Sequence, residues 1–202
     1  MKISNLLWVL ALASAVAACN NWTDQPPVEG IVKPPVGGTG GTAGTGGTGG
    51  TGGVGEGACT NEADQAVYAS LTYTDEAGIT YTGTEAASAI GSDCIFGTTT
   101  SDPVLAGCGD AAFAVVGCFP NCPPATTQAL ADCVASCTQT ATGLSAGCMA
   151  CTGATVACGA AYCTNFCVSD TNAPQCVGCR CDSGCTPNFD KCSGLPSTGE
   201  CN

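Results

Sequence analysis

Histidine is absent from all 202 residues. Without an imidazole, a chain cannot build a Ser-His-Asp or Cys-His nucleophile or a histidine-ligated zinc centre, so those chemistries are excluded at the outset. Cations are almost as scarce. Four Lys and Arg stand against 16 Asp and Glu, and only Lys33, Arg180 and Lys191 lie beyond residue 18, leaving that part of the chain at 3 − 16 = −13. A surface of that sign repels a phosphate backbone and excludes nucleic acid as a partner. It also leaves few residues for a lysine-activated nucleophile or an arginine clamp. Large apolar side chains are the third shortage: Leu, Ile, Val and Phe supply 21 of the 144 residues from Cys59 onward, too few for an ordinary core.

Cysteine is what the chain has in their place. Of 19 cysteines, 18 fall between Cys59 and Cys201, one in eight of those 144 residues. That density marks a disulfide scaffold folded in an oxidising compartment, where covalent staples substitute for buried apolar area.

The remaining cysteine belongs to the N-terminus. Residues 1–18, MKISNLLWVLALASAVAA, carry one positive charge at Lys2 and an apolar run from Leu6 to Leu12, the layout of a secretory signal and too short to be read as a membrane span. Val16-Ala17-Ala18-Cys19 resembles the lipobox of bacterial lipoproteins. The resemblance implies that Cys19 becomes the lipidated N-terminus and anchors the protein to a membrane it does not cross, several acyl chains exceeding what stable anchoring needs. Ala15-Val16-Ala17 also fits ordinary cleavage. The odd cysteine count favours lipidation, which accounts for the one left over. Asn20 stands where, in that family, an Asp retains the protein at the inner membrane; its absence points to the outer membrane or cell surface of a bacterial envelope.

Residues 19–57 read as a linker. NNWTDQPPVEGIVKPPV is polar and proline-rich, and GGTGGTAGTGGTGGTGG has nothing to bury, so the segment is expected to be disordered. As a flexible coil, residues 20–57 would reach about 30 to 40 Å. Gly50 to Gly55 spells G-x-G-x-x-G but lacks the flanking strand and helix of a dinucleotide site.

Residues 59–202 are expected to form a mainly α, disulfide-stapled domain. Thr126–Gln139 follows Pro123-Pro124 and places Leu130, Cys133, Val134 and Cys137 on one helical face, with Gly143 as a stop. Ser145 can cap the next helix, with Leu144 and Met149 as a hydrophobic staple. Its stripe runs through Cys148, Cys151, Thr155, Cys158 and Tyr162, and Gly153 and Gly159 predict a bend or break. Pro174 and Pro187 fit the first turns of two short helices. Upstream, around Cys59, Cys94 and Cys108, NEADQAVYASL and TEAASAIGSD read as helices, and LTYTDEAGITYTG between them as a hairpin.

Four C-x3-C pairs occur: Cys118/Cys122, Cys133/Cys137, Cys163/Cys167 and Cys181/Cys185. Residues four apart share a helix face, so consecutive pairs could staple two antiparallel helices, outer to outer and inner to inner. The spacing resembles the twin C-x3-C hairpins of small mitochondrial intermembrane chaperones, although Pro123-Pro124 departs from that pattern. Connectivity stays open, because 18 cysteines allow on the order of tens of millions of pairings.

The run CVGCRCDSGC, residues 176–185, and the knuckles Cys148-x2-Cys151 and Cys176-x2-Cys179 could instead supply thiolates to zinc or copper(I). Metal ligation needs free thiolates, which disulfides remove, so disulfides, with no metal or cofactor, are the expectation. Cys192 and Cys201 complete the set. Carboxylates that could hydrolyse a glycoside, Asp75-Glu76 and Asp102/Asp110, read as turn and loop residues. A lipobox, a Gly/Thr tether and a helical module ending in Cys192-Ser193-Gly194 together resemble uncharacterised surface lipoproteins of myxobacterial-type bacteria. The expectation is a non-catalytic surface lipoprotein displaying its module for binding, adhesion or envelope structure, toward a glycan or protein ligand. The alternative is a thiolate metal-binding or thiol-redox protein.

Overall fold

A computed structural model describes residues 56–168, 170–195 and 201. The signal segment 1–18, Cys19, the Gly50–Gly55 motif and the tether through residue 55 lie outside the described residues. Seven helices and one hairpin make up the described part, a mainly α domain as expected.

Helix α1 (Glu62–Ser70) begins on Asn61, whose side chain accepts the Asp64 N–H. Strands β1 (Thr72–Thr74) and β2 (Thr80–Thr82) follow as an antiparallel pair with Tyr73 opposite Tyr81, and α2 (Gly83–Asp93) leaves the second strand directly. A loop over 94–108 leads to α3 (Gly109–Cys118). Then come α4 (Pro124–Thr142) and α5 (Ala146–Cys167), the two long helices, and the short α6 (Pro174–Asp182) and α7 (Cys185–Ser193).

The α4–α5 turn forms as the sequence predicts. Gly143 sits in the left-handed region at φ 74° with its N–H on the Gln139 carbonyl. Ser145 caps α5 by accepting the Cys148 N–H, and the staple residues Leu144 and Met149 are buried. A residue outside the sequence reading completes this junction. Asp64, buried, accepts the Ser145 N–H at 2.7 Å, the Ser145 hydroxyl at 2.6 Å and the Asn61 amide at 2.5 Å. One carboxylate thus ties the starts of α1 and α5, where negative charge also complements the helix dipole. Asp64→Ala should cost about 1 to 3 kcal/mol, because it removes the one buried acceptor shared by the N–H and hydroxyl of half-buried Ser145 and the amide of exposed Asn61. Urea titration of the oxidised protein checks this, and an unchanged midpoint would contradict the role.

The expected break in α5 is absent: the helix runs unbroken for 22 residues through Gly153 and Gly159. The reason lies in packing. A Cβ at Gly153 would fall 2.2 Å from the Ala131 carbonyl oxygen and 3.0 Å from Ala135 Cβ, so the glycine lets α4 and α5 approach at backbone distance. Gly91 on α2 serves the same junction, its missing Cβ facing Thr152 Cγ2 at 2.9 Å. The predicted stripe also drifts. Cys148 and Cys151 are buried, but Ala157 and Ala161 carry the inner face further on, and Tyr162 is exposed. The 3.6-residue period rotates a strict four-three stripe off the core over this length.

All 18 cysteines pair. Five of the nine bridges start on α5: Cys148 to Cys59, Cys151 to Cys192, Cys158 to Cys185, Cys163 to Cys179 and Cys167 to Cys176. Helix α5 is long and apolar enough to cross a membrane by composition, yet these bonds and its buried inner face make it the central strut of the domain. Cys94 and Cys108, at the two ends of the 94–108 loop, bond Cys137 and Cys133 on α4. Cys181 bonds Cys201.

The twin C-x3-C staple is therefore corrected. Cys118 and Cys122 bond each other, because the chain turns immediately after α3, with the Asn121 N–H on the Cys118 carbonyl. Cys181 and Cys185 sit on separate helices divided by left-handed Gly184 and share no face. The stapling geometry itself survives with other partners: Cys163-x3-Cys167 is bridged outer to outer and inner to inner by Cys176-x2-Cys179.

Candidate functional site

The sulfur motifs that suggested metal are spent on structure. The four cysteines of CVGCRCDSGC bond four different residues outside the run, Cys167, Cys163, Cys201 and Cys158, and none bonds another within it. Cys148 and Cys151 likewise lead to Cys59 and Cys192. Among the described residues no three His, Cys, Asp or Glu side chains are grouped to hold a metal ion.

The candidate carboxylates build local structure. Asp75 Oδ1 accepts the N–H groups of Ala77 and Ile79 and shapes the hairpin turn, while its other oxygen accepts the Tyr81 hydroxyl at 3.2 Å. Glu76 Oε1 accepts the N–H of Thr99 at 2.6 Å and the Thr99 hydroxyl and Thr100 N–H besides. These donors, the Thr99 amide first, hold its carboxyl below the usual range. Asp102 pairs backbone to backbone with Thr74, and Asp110 lies in the first turn of α3. Sequence reasoning missed a further contact nearby: Tyr73, buried, donates to Asp93 at 2.6 Å. Burial, and then the Asp93 bond, push the Tyr73 phenol up to about 12.

What remains is a surface feature. The 94–108 loop is pinched at its neck. Gly97 has φ +77°, and a Cβ on either Gly97 or Gly107 would run into the other strand of the loop, 2.3 Å from the Phe96 carbonyl in the case of Gly107. Cys108 N–H bonds the Cys94 and Ile95 carbonyls, and Thr98 N–H bonds Leu105. The loop so closed stands beside α4 and leaves two adjoining grooves of about 540 and 420 Å³, both bordered by Gly107 and Cys133. The larger runs between Val104 and Leu105 on one side and Cys137, Thr140 and Ala141 on the other.

An exposed aromatic pair lies near the smaller groove, the Phe113 ring beside Gly109 of its lining. Phe96 and Phe113 are 63% and 67% exposed and lie with ring centroids 5.9 Å apart, the tilted contact aromatic quadrupoles favour. Asp110, exposed and one turn before Phe113 on α3, lines the same groove. Val104 adds a third large apolar side chain, 63% exposed. The two phenylalanines thus form a contiguous exposed apolar contact, and Val104 stands exposed on the lining of the larger groove. The signal was present in GDAAFAVVGC, yet with apolar residues on every side of the turn it shows no periodicity to read.

No protein family matches this chain, and neither characterised proteins nor solved structures provide a similar sequence or fold.

Proposed function

We propose that the chain is a non-catalytic bacterial surface lipoprotein, anchored through Cys19 and displaying its disulfide-stapled helical module for binding, adhesion or envelope structure. The observation that carries this reading is the pairing of all 18 cysteines from Cys59 to Cys201 within the domain, which takes up every thiolate that metal or redox chemistry would use. The lipobox-like Val16-Ala17-Ala18-Cys19 supports the anchor, and the low-complexity 20–57 tether suits display above a lipid surface. The exposed phenylalanines beside Asp110 support a protein or glycan ligand.

Intact mass of envelope-purified protein, treated with an alkylating agent before any reduction, tests the reading. The expected result is no added alkyl group and a mass below the fully reduced value by two hydrogens for each of the nine bridges. Alkylated thiols, or thiols that react only after chelation, would replace it with a metal or redox protein. An N-terminal peptide carrying acyl mass on Cys19 is expected in the same sample, and a free N-terminus at Ala18 or Cys19 without lipid would remove the anchor.

A further inference from the structure

The groove between the 103–107 loop and α4 has an apolar floor and an acidic setting. Helix α4 presents two stripes to it, Cys133, Cys137 and Ala141, and Ser136 with Thr140, each at spacings of four. Asp132 continues the second stripe one turn towards the N-terminus and is exposed. Asp110 lines the adjoining groove, and exposed Asp102 precedes Pro103 at the far rim. Among the described residues that line the two grooves there is no Lys or Arg. From residue 34 to residue 179 the chain has eleven Asp and Glu and not one Lys or Arg. Of the two cations in the domain, Arg180 is on α6, and Lys191, on α7, is paired with Glu56 at 3.1 Å.

From this juxtaposition we infer that the groove receives a short aliphatic and basic segment of a partner protein, its apolar side chains against Val104, Cys137 and Ala141 and its lysines or arginines towards Asp102, Asp110 and Asp132. The inference rests on the reading of the domain as a binding module and names its partner's chemistry. A concave volume of about 540 Å³ takes roughly three aliphatic side chains, within the usual range for ligand clefts. Negative charge beside linings that hold no Lys or Arg selects a cationic occupant and speeds its encounter. The same charge disfavours a phospholipid surface, whose phosphates carry the same sign.

The full mature chain in a non-ionic detergent, with empty micelles as blank, is titrated with three labelled hexapeptides: alternating Lys-Val, alternating Lys-Ser and alternating Glu-Val. Lys-Val should bind at least about tenfold more tightly than either other peptide, and Val104→Arg and Thr140→Arg should each weaken it by about tenfold. Both positions are exposed, so the fold should persist, which far-UV circular dichroism verifies. Phe166→Ala, on an exposed part of α5, should leave binding unchanged. Equal binding of Lys-Ser, or indifference to both arginine variants, overturns the inference. So does binding to phosphatidylglycerol vesicles that both variants alter while Lys-Val fails to bind, since a membrane would then be the occupant. Paired thiols with no Lys-Val selectivity defeat this inference alone, whereas alkylatable thiols defeat the binding-module reading beneath it.

Discussion

Excess dithiothreitol at neutral pH, with no denaturant present, is expected to convert the oxidised domain into an unfolded chain. Each native disulfide of a small secreted domain is worth about 2 to 5 kcal/mol, against a total stability for ordinary domains of about 5 to 15 kcal/mol. Nine bridges therefore outweigh the whole margin, even with generous allowance for non-additivity. The apolar groups left behind cannot make up the difference. The largest fully buried side chains are few, Tyr73, Ile90, Leu130, Leu144 and Met149 among them, and much of the remaining interior is Ala, Gly, Thr and cystine. The bridges also differ in kind. Cys59–Cys148 closes a separation of 89 residues and Cys118–Cys122 one of four, so the first restrains the unfolded chain far more than the second. Loss of the far-UV helical signal on reduction, with recovery on reoxidation, is the result to look for. A reduced protein that keeps its helical signal and a cooperative thermal transition would show that the small core suffices.

A pair of glycine substitutions on one helix should move stability in opposite directions. Gly153→Ala puts a methyl group 2.2 Å from the Ala131 carbonyl oxygen, and that atom belongs to α4 backbone and cannot swing aside. The two long helices must separate, which costs about 3 kcal/mol or more, at the upper end of overpacking penalties. Gly159→Ala meets nothing within 4 Å and replaces a poor helix former by the best one, a gain of up to about 1 kcal/mol. Guanidinium titrations of the oxidised variants measure both shifts. If Gly153→Ala proved neutral, α4 and α5 would not be in backbone contact in solution.

The same glycines show what the sequence could disclose. Helix propensity counts glycine as a cost wherever it falls, and that arithmetic predicts a break in α5. Whether a missing Cβ makes room for a neighbour depends on a second helix that only the fold brings near. Local features were legible because their causes are local: Pro at the starts of α4 and α6, Gly143 at the end of α4, Ser145 with its staple, and the Tyr73/Tyr81 hairpin. Helix α3 was not, because Phe113 and Val116 face solvent while Ala112 and Val115 face inward, so no polar side marks the outer face. The groove escaped for a different reason. Its wall is a loop held by the approach of Gly97 to Gly107 and by Cys94 and Cys108 reaching α4, all of them contacts between residues distant in sequence. Cysteine usage could be read from spacing and compartment, but the choice of partner could not: Cys163 and Cys167 found Cys179 and Cys176 because α6 folds back along α5, an event that no spacing rule singles out from the alternatives.

The Cys59–Cys148 bridge has a mechanical meaning. A pull on the chain at Glu56, resisted at the groove, enters the domain through Ala58 and Cys59, whose N–H groups bond the Cys192 and Ser193 carbonyls. Those hydrogen bonds can break, but the force then passes across the disulfide to Cys148, along eleven residues to Cys137 and across a second bridge to Cys94. Taut, that detour spans about 40 Å of chain, whereas the 35 residues from Cys59 to Cys94 would pay out about 120 Å if no bridge existed. Under load the domain behaves as a short, nearly inextensible link, because the polypeptide between Cys59 and Cys94 cannot unravel while both bridges hold.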